Sequence, residues 1–270
     1  MDHAGGVVFD ALGVAHPLAD DSARIASLVP SITELLCDLG LDAQLVARTG
    51  FCIHPKNVVR TITKVGGTKD VNLDRLRDLA PTHVIVNIDE NERPLYDALL
   101  EFVPHVFVTH PLAPQDNIPL FESLGALFGK KTAAAKLIDD FVARRDELGE
   151  PTDYPERSVL YLIWKDPWMA VNQDTYIAEM LKLINWQVTC GASDSRYPEV
   201  AIEEFSGQVD YVLLSSEPYS FREKHLAEVR QLIGADTSVS LVDGEMLSWY
   251  GSRAIRGLSY LRTLVATEMS

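Results

Sequence analysis

The feature that most restricts the fold is a junction without a linker: the run RIASLV at residues 24–29 passes directly into PSITELLCDLG at residues 30–40. In RIASLV, Ile25, Ser27 and Val29 face one way and Ala26 and Leu28 the other, the pattern of a strand buried on both faces. Pro30 and Ser31 suit a helix start, Glu34 stands three residues after Ser31 as in a capping box, and Gly40 supplies a stop. The alternation then repeats, with strands expected at 44–47, 83–87 and 105–109 and helices at 73–79 and 94–102. Strands alternating with helices imply a mainly parallel sheet covered on both faces.

The segment KKTAAAKLIDDFVARRDELG at 130–149 reads as one long helix, with Ala134, Leu137, Ile138, Phe141 and Val142 at helical spacing. The two prolines of EPTDYPER end it, and a second series opens with SVLYLIW at 158–164. That series continues with helices at 175–183 and 202–205, strands at 210–214 and 239–242, and a last helix reaching about residue 266. The fold class is therefore α/β with two Rossmann-like lobes: an N-terminal lobe at 24–129, the long helix at 130–149 and a C-terminal lobe at 156–268.

Composition excludes several function classes. A formal net charge of −15 opposes binding to nucleic acid or to an anionic membrane surface. The three cysteines form no CxxC pair and make a disulfide framework implausible. The N-terminal stretch carries acids where a signal peptide needs positive charge, so the expectation from the chain as written is a cytoplasmic protein. No apolar run reaches the ~18 residues of a membrane-spanning helix.

In open parallel sheets ligands settle beyond the carboxyl ends of the strands. The polar and aromatic residues cluster there: Ser31; Phe51, Cys52 and His54; Gly66, Gly67 and Thr68; Asn87; Trp164 and Trp168; Glu217; and Trp249, Tyr250 and Arg253 of VDGEMLSWYGSR. Two such sets of loops facing each other would enclose a small molecule, and three tryptophans in them suit a flat or bulky one. Cys52 and His54 are candidate metal ligands but lack a matching second pair. The Gly66–Gly67–Thr68 run has neither phosphate-loop spacing, so its glycines are expected to turn the backbone tightly beside the ligand. No motif assigns a nucleophile and a base, which leaves no catalytic residues and no required cofactor.

With these residues in view, RIASLVPSITELLCDLGL, KVGGTKDVNLDRLRDLAPTHVIVN, the single long helix and DGEMLSWYGSR together resemble the helical-backbone substrate-binding proteins of ABC importers, the group that includes cobalamin and iron-siderophore receptors. The resemblance implies two lobes bridged by a rigid helix, a ligand cleft between them, a monomer, a periplasmic location and an ABC permease as partner. It also implies permease-docking acids, which by position in NLDRL and AIEEF are Asp74 and Glu203. For a cobalamin-like ligand, Phe51, Tyr197 and Trp249 are the candidate platforms. For a ferric siderophore, Arg48, Arg196, Arg253 and Tyr250 would meet the anionic chelate. The preferred expectation is a corrinoid or bulky metal chelate, with a siderophore receptor, a cytosolic carrier or sensor, or a metal-ion binder as alternatives.

Overall fold

A computed structural model describes residues 6–268; the first five residues of the stretch inspected for a leader lie outside them. The chain divides into two compact units. The first takes the chain to Pro111, then Gln115–Phe141 and Tyr250–Arg253; the second takes Leu112–Pro114, Val142–Trp249 and the chain from Ala254 onward.

The first unit contains β1 (Val7–Phe9), β2 (Ala15–Pro17), β3 (Ile25–Ser27), α1 (Pro30–Asp38), β4 (Leu45–Arg48), α2 (Lys56–Val59), β5 (Thr63–Lys64), α3 (Leu73–Asp78), β6 (His83–Asn87), α4 (Arg93–Leu99), β7 (His105–Thr109), α5 (Asn117–Leu127) and the start of α6 (Lys131–Leu148). Its main sheet has the order β5-β4-β3-β6-β7, and every neighbouring pair is parallel. One core cluster, which includes Ala26, Leu28, Val84, Val86, Val106 and Val108, is built from alternate positions of these strands. β6 is buried at all five residues, as a central parallel strand with both faces covered must be.

The second unit follows the end of α6 with β8 (Arg157–Trp164), β9 (Met169–Ala170), α7 (Tyr176–Lys182), β10 (Trp186–Val188), β11 (Tyr211–Ser215), α8 (Glu223–Ile233), β12 (Ser238–Val242), α9 (Gly244–Ser248) and α10 (Arg253–Glu268). The order β10-β8-β11-β12 is parallel throughout, and β9 folds back antiparallel on β8. Among the described residues no helix is long and apolar enough to cross a membrane.

Several elements differ from the sequence expectation. The hairpin of β1 and β2, strand β10, and helices α5 and α8 were not anticipated. The region at 202–205 is a 3-10 turn. The capping box at Ser31 and Glu34 does not form: α1 begins at Pro30 with the apolar Val29 as its N-cap, so Ser31 already lies inside the helix and Glu34 falls beyond its third position. Along α6, Ala134 and Phe141 are buried as the spacing implies, whereas Val142 is exposed.

The amino ends of β6 and β7 bring His83 and His105 into register, with their rings stacked at 4.8 Å. His16 stands 6.2 Å from His105, Phe128 closes over His83 at 5.3 Å, and Thr82 Oγ1 lies 2.8 Å from His83 Nδ1. Burial, followed by repulsion from His105 and His16, lowers the His83 pKa to about 4, against a small opposing pull from Asp20. Between that value and the ordinary ~6.5, the unfolded chain takes up a proton that the native chain refuses. Stability is therefore full above the ordinary histidine value and falls as pH drops toward 4. The urea midpoint of the parent should decline across that window, and His83→Phe should flatten the decline. An unchanged slope in the variant would show that His83 is not responsible.

Candidate functional site

In the first unit, the strand-end loops are organised by a buried polar knot. Thr33 Oγ1, on the second turn of α1, lies 2.8 Å from Ser27 Oγ and 3.0 Å from Cys52 Sγ, and Thr49 Oγ1 lies 3.2 Å from the same sulfur. Cys52 is fully buried, and burial pushes its thiol pKa up. A protonated thiol held by two hydroxyls ties the loop after β4 to α1 and is a poor metal ligand. Among the described residues no group of three or more His, Cys, Asp and Glu side chains is placed to hold a metal ion.

The knot fixes the base of the loop and leaves its tip outside. Phe51 is 62% exposed beside Gly67, where an added Cβ would stand 3.3 Å from the ring. Gly66 adopts φ +113°, and a Cβ there would fall 2.3 Å from the Asp70 carbonyl oxygen. Only glycine fits that turn, as the sequence suggested. Thr68 is half-buried, and its carbonyl accepts from Asn91 Nδ2 at 3.0 Å. Asn87 is buried: its amide donates to the Thr109 carbonyl at 3.1 Å and accepts from Asp89 N at 2.8 Å. Its amide thus shapes the loop after β6. Asn91, which sequence reasoning missed, does similar work by bonding Asn87 N at 2.9 Å.

Tyr250–Arg253 belongs to this unit. The Arg253 guanidinium donates to both oxygens of Glu34, Nε at 2.7 Å and Nη2 at 3.0 Å, and both side chains are buried. Tyr250 donates to Glu90 Oε1 at 2.8 Å, and burial together with the Glu90 charge raises its pKa well above the ordinary phenol value. Gly251, at φ +80°, donates to Asn117 Oδ1 at 2.6 Å, and a Cβ on it would press on Leu35 and the Ser31 carbonyl. Ser31 is itself buried at the head of α1. These residues form a packed seam, and Arg48 is likewise internal, donating to the carbonyls of Val59 and Thr49. Glu34 was missed as a partner, although a carboxylate on a helix face that is otherwise buried signals the need for a cation.

The second unit presents an aromatic cluster beyond β8 and β11. Trp164 is 40% exposed and meets Tyr219 edge-on at 5.6 Å; half-buried Trp168 stacks on Phe221 at 5.9 Å. Lys165 bonds Glu228 at 2.6 Å and lies 5.3 Å above the Trp168 ring, which pins the loop between β8 and β9 to α8. In the loop after β11, Glu217 Oε1 accepts from two side chains that lie beyond β12, Ser248 Oγ at 2.8 Å and Trp249 Nε1 at 2.7 Å. Burial raises the Glu217 carboxyl pKa, and those two bonds oppose the rise. Trp249 is thereby held nearly buried, at 8% exposure. In the loop after β10, Tyr197 is 39% exposed with the Arg196 guanidinium 5.7 Å from its ring; Arg196 also donates to the Asp174 carbonyl at 2.7 Å.

The two acids singled out for docking are both exposed. Asp74, in the first turn of α3, has a side chain 94% exposed and an ion pair with Arg77 at 3.4 Å. Glu203 is exposed on the 3-10 turn at 202–205.

Breaking the buried pair gives a direct test of the seam. Glu34→Ala should destabilise the protein by about 3–5 kcal/mol, because it strands the Arg253 charge in the interior. Measured by denaturant unfolding, a loss below about 1 kcal/mol would show that water reaches the guanidinium and that the seam is not dry.

Among solved structures, the chain is similar to the periplasmic vitamin B12 binding protein BtuF of Vibrio cholerae, with a TM-score of 0.77 and 18% identity over 92% of this chain and 99% of that one. It is similar to the periplasmic heme binding protein HutB of Vibrio cholerae, with a TM-score of 0.74 and 22% identity over 90% and 99% of the two chains. The periplasmic heme-binding protein RhuT from Roseiflexus sp. RS-1 gives a TM-score of 0.74 and 19% identity over 90% and 97%. At these identities the likeness is one of fold. No curated protein sequence matches. The family model described as periplasmic binding protein matches residues 25–233, most of the chain. The chain therefore belongs to the periplasmic binding protein family, the small-molecule-binding components of ABC importers, and is a solute-binding protein and not an enzyme.

Proposed function

We propose that this chain is the receptor of an ABC importer for a bulky, flat-faced metal chelate of the corrinoid, cobalamin-like kind, recognised by aromatic rings at strand ends. The observation that carries this reading is the set of exposed rings. Phe51, Trp164 and Tyr197 stand out at 62%, 40% and 39% exposure, at or beyond the carboxyl ends of β4, β8 and β10. Rings left in water at the loops where such sheets bind ligands are stacking surfaces awaiting an apolar face.

The fate of the cations favours a corrinoid over a siderophore. Arg48 and Arg253, two of the three arginines a negatively charged chelate would call on, are buried and bonded to the protein itself. A ligand of low net charge asks nothing of them. The similar vitamin B12 and heme binding proteins support the same class of large metal complex.

Titration of the purified protein with cyanocobalamin, heme and a ferric siderophore, each read by tryptophan fluorescence and calorimetry, tests the assignment. Cyanocobalamin should bind tightest. Phe51→Ala and Trp164→Ala should each weaken it by about 1–3 kcal/mol, while affinities that do not move would remove these rings from the site.

Asp74 and Glu203, both exposed, serve in this reading as the permease-docking acids. Asp74→Ala combined with Glu203→Ala should leave ligand affinity unaltered and lower uptake in a reconstituted transporter. Uptake equal to the parent's would refute the docking role.

A further inference from the structure

Trp164, the exposed indole of the second unit, is linked through one intermediate ring to a buried histidine. His225, in the first turn of α8, sits among aromatic rings: Phe221 crosses it at 5.5 Å and 90°, and Tyr219 meets it at 5.6 Å. Its two nitrogens do different work. Arg222 N, at the N-cap of α8, donates to Nδ1 at 2.9 Å. A backbone N–H can only donate, so Nδ1 carries no proton, and the neutral ring has its proton on Nε2. Nε2 lies 3.4 Å from the Tyr219 hydroxyl oxygen, so His225 donates to that oxygen. Burial, followed by the charges of Lys224 and Lys165, lowers the His225 pKa against a smaller pull from Glu228, and this favours the neutral ring.

Helix capping alone does not call for an imidazole. At the third helical position the usual partner of the N-cap N–H is Glu or Gln, a flexible chain with one polar end. A rigid ring adds a second polar atom at a fixed distance, and here that atom meets a residue that also touches Trp164. The Tyr219 ring stands edge-on to the indole at 5.6 Å, and Tyr219 N donates at 3.2 Å to the carbonyl of Ile163, the residue before Trp164. With its backbone bonded there, Tyr219 has its hydroxyl end left to fix, and Nε2 fixes it.

We infer, taking from the receptor reading only what the indole meets, that His225 is a positioning residue: through the Tyr219 hydroxyl it sets the direction of the Trp164 ring on which the ligand stacks. A ring that already stands in its bound orientation gives up little freedom on association. His225 thus acts on affinity through two other side chains.

Fluorine NMR of the full chain labelled with fluorotryptophan tests this, with the Trp164 resonance assigned by its loss in Trp164→Phe. His225→Asn keeps an acceptor where Nδ1 stands and has no atom where Nε2 stands. Tyr219→Phe keeps the ring against the indole and removes only the hydroxyl. Each should shift and broaden the Trp164 resonance in the ligand-free protein while leaving that of Trp186, whose ring stacks on Tyr211 at 4.8 Å, in place. Each should also weaken cyanocobalamin binding by roughly three- to tenfold. Because both substitutions break one relay, the double variant should bind as the weaker single variant does. A Trp164 resonance unmoved in either single variant, or losses that multiply in the double, would overturn the proposal and leave His225 as a helix cap. The resonance is read without ligand, so a parent that binds no cyanocobalamin removes the receptor reading while the resonance still decides the relay.

Discussion

The buried pair between Glu34 and Arg253 is the constraint on which the first unit's architecture turns. It joins positions 219 residues apart, with both side chains out of water. Neither charge is tolerable alone at that depth, so the chain must bring the segment after α9 onto α1 or leave an ion stranded. Arg253 also opens α10, where the helix dipole disfavours a cation, and the Glu34 carboxylate compensates there too. Once the pair is made, Tyr250 reaches Glu90 and Gly251 reaches Asn117, and a motif written at the end of the chain completes a unit begun at its start.

That arrangement separates recognition chemistry that faces solvent from recognition chemistry that holds the protein together. Tyr250, Arg253, Asn87 and Cys52 are polar or reactive residue types in strand-end loops, yet each is buried with named internal partners. The rings of Phe51, Trp164 and Tyr197 remain in water. The thiol knot braces the loop that carries Phe51, the Lys165–Glu228 pair pins the loop that follows Trp164, and the Arg196 bond to the Asp174 carbonyl holds the loop beside Tyr197. A binding protein benefits from this because ordering mobile loops would subtract from affinity.

The parallel sheets were legible because their central strands are apolar on both faces, as HVIVN and YVLLS are, and because each is followed by helical spacing. The β1–β2 hairpin was not, since its outward face is apolar too and alternation gives no contrast to read. Helix α5 hid for another reason: Pro119 and Gly125 interrupt NIPLFESLGAL, and the glycine is required by contact with Ala134, whose Cβ would meet an added one at 2.4 Å. The capping box failed because α1 starts at Pro30, two residues earlier than a Ser31 cap requires, and Glu34 instead meets Arg253, which no local pattern connects to it.

The sequence by itself determined the α/β class, the parallel order of elements, the long helix, the tight Gly66–Gly67 turn and the clustering of polar and aromatic residues after strands. All of these follow from local periodicity and backbone sterics, which act over a few residues. The tertiary structure alone decided which of those residues face water, because burial depends on partners far along the chain. Glu34 finds Arg253, Trp249 finds Glu217 and Cys52 finds Thr33 only when the sheets have assembled.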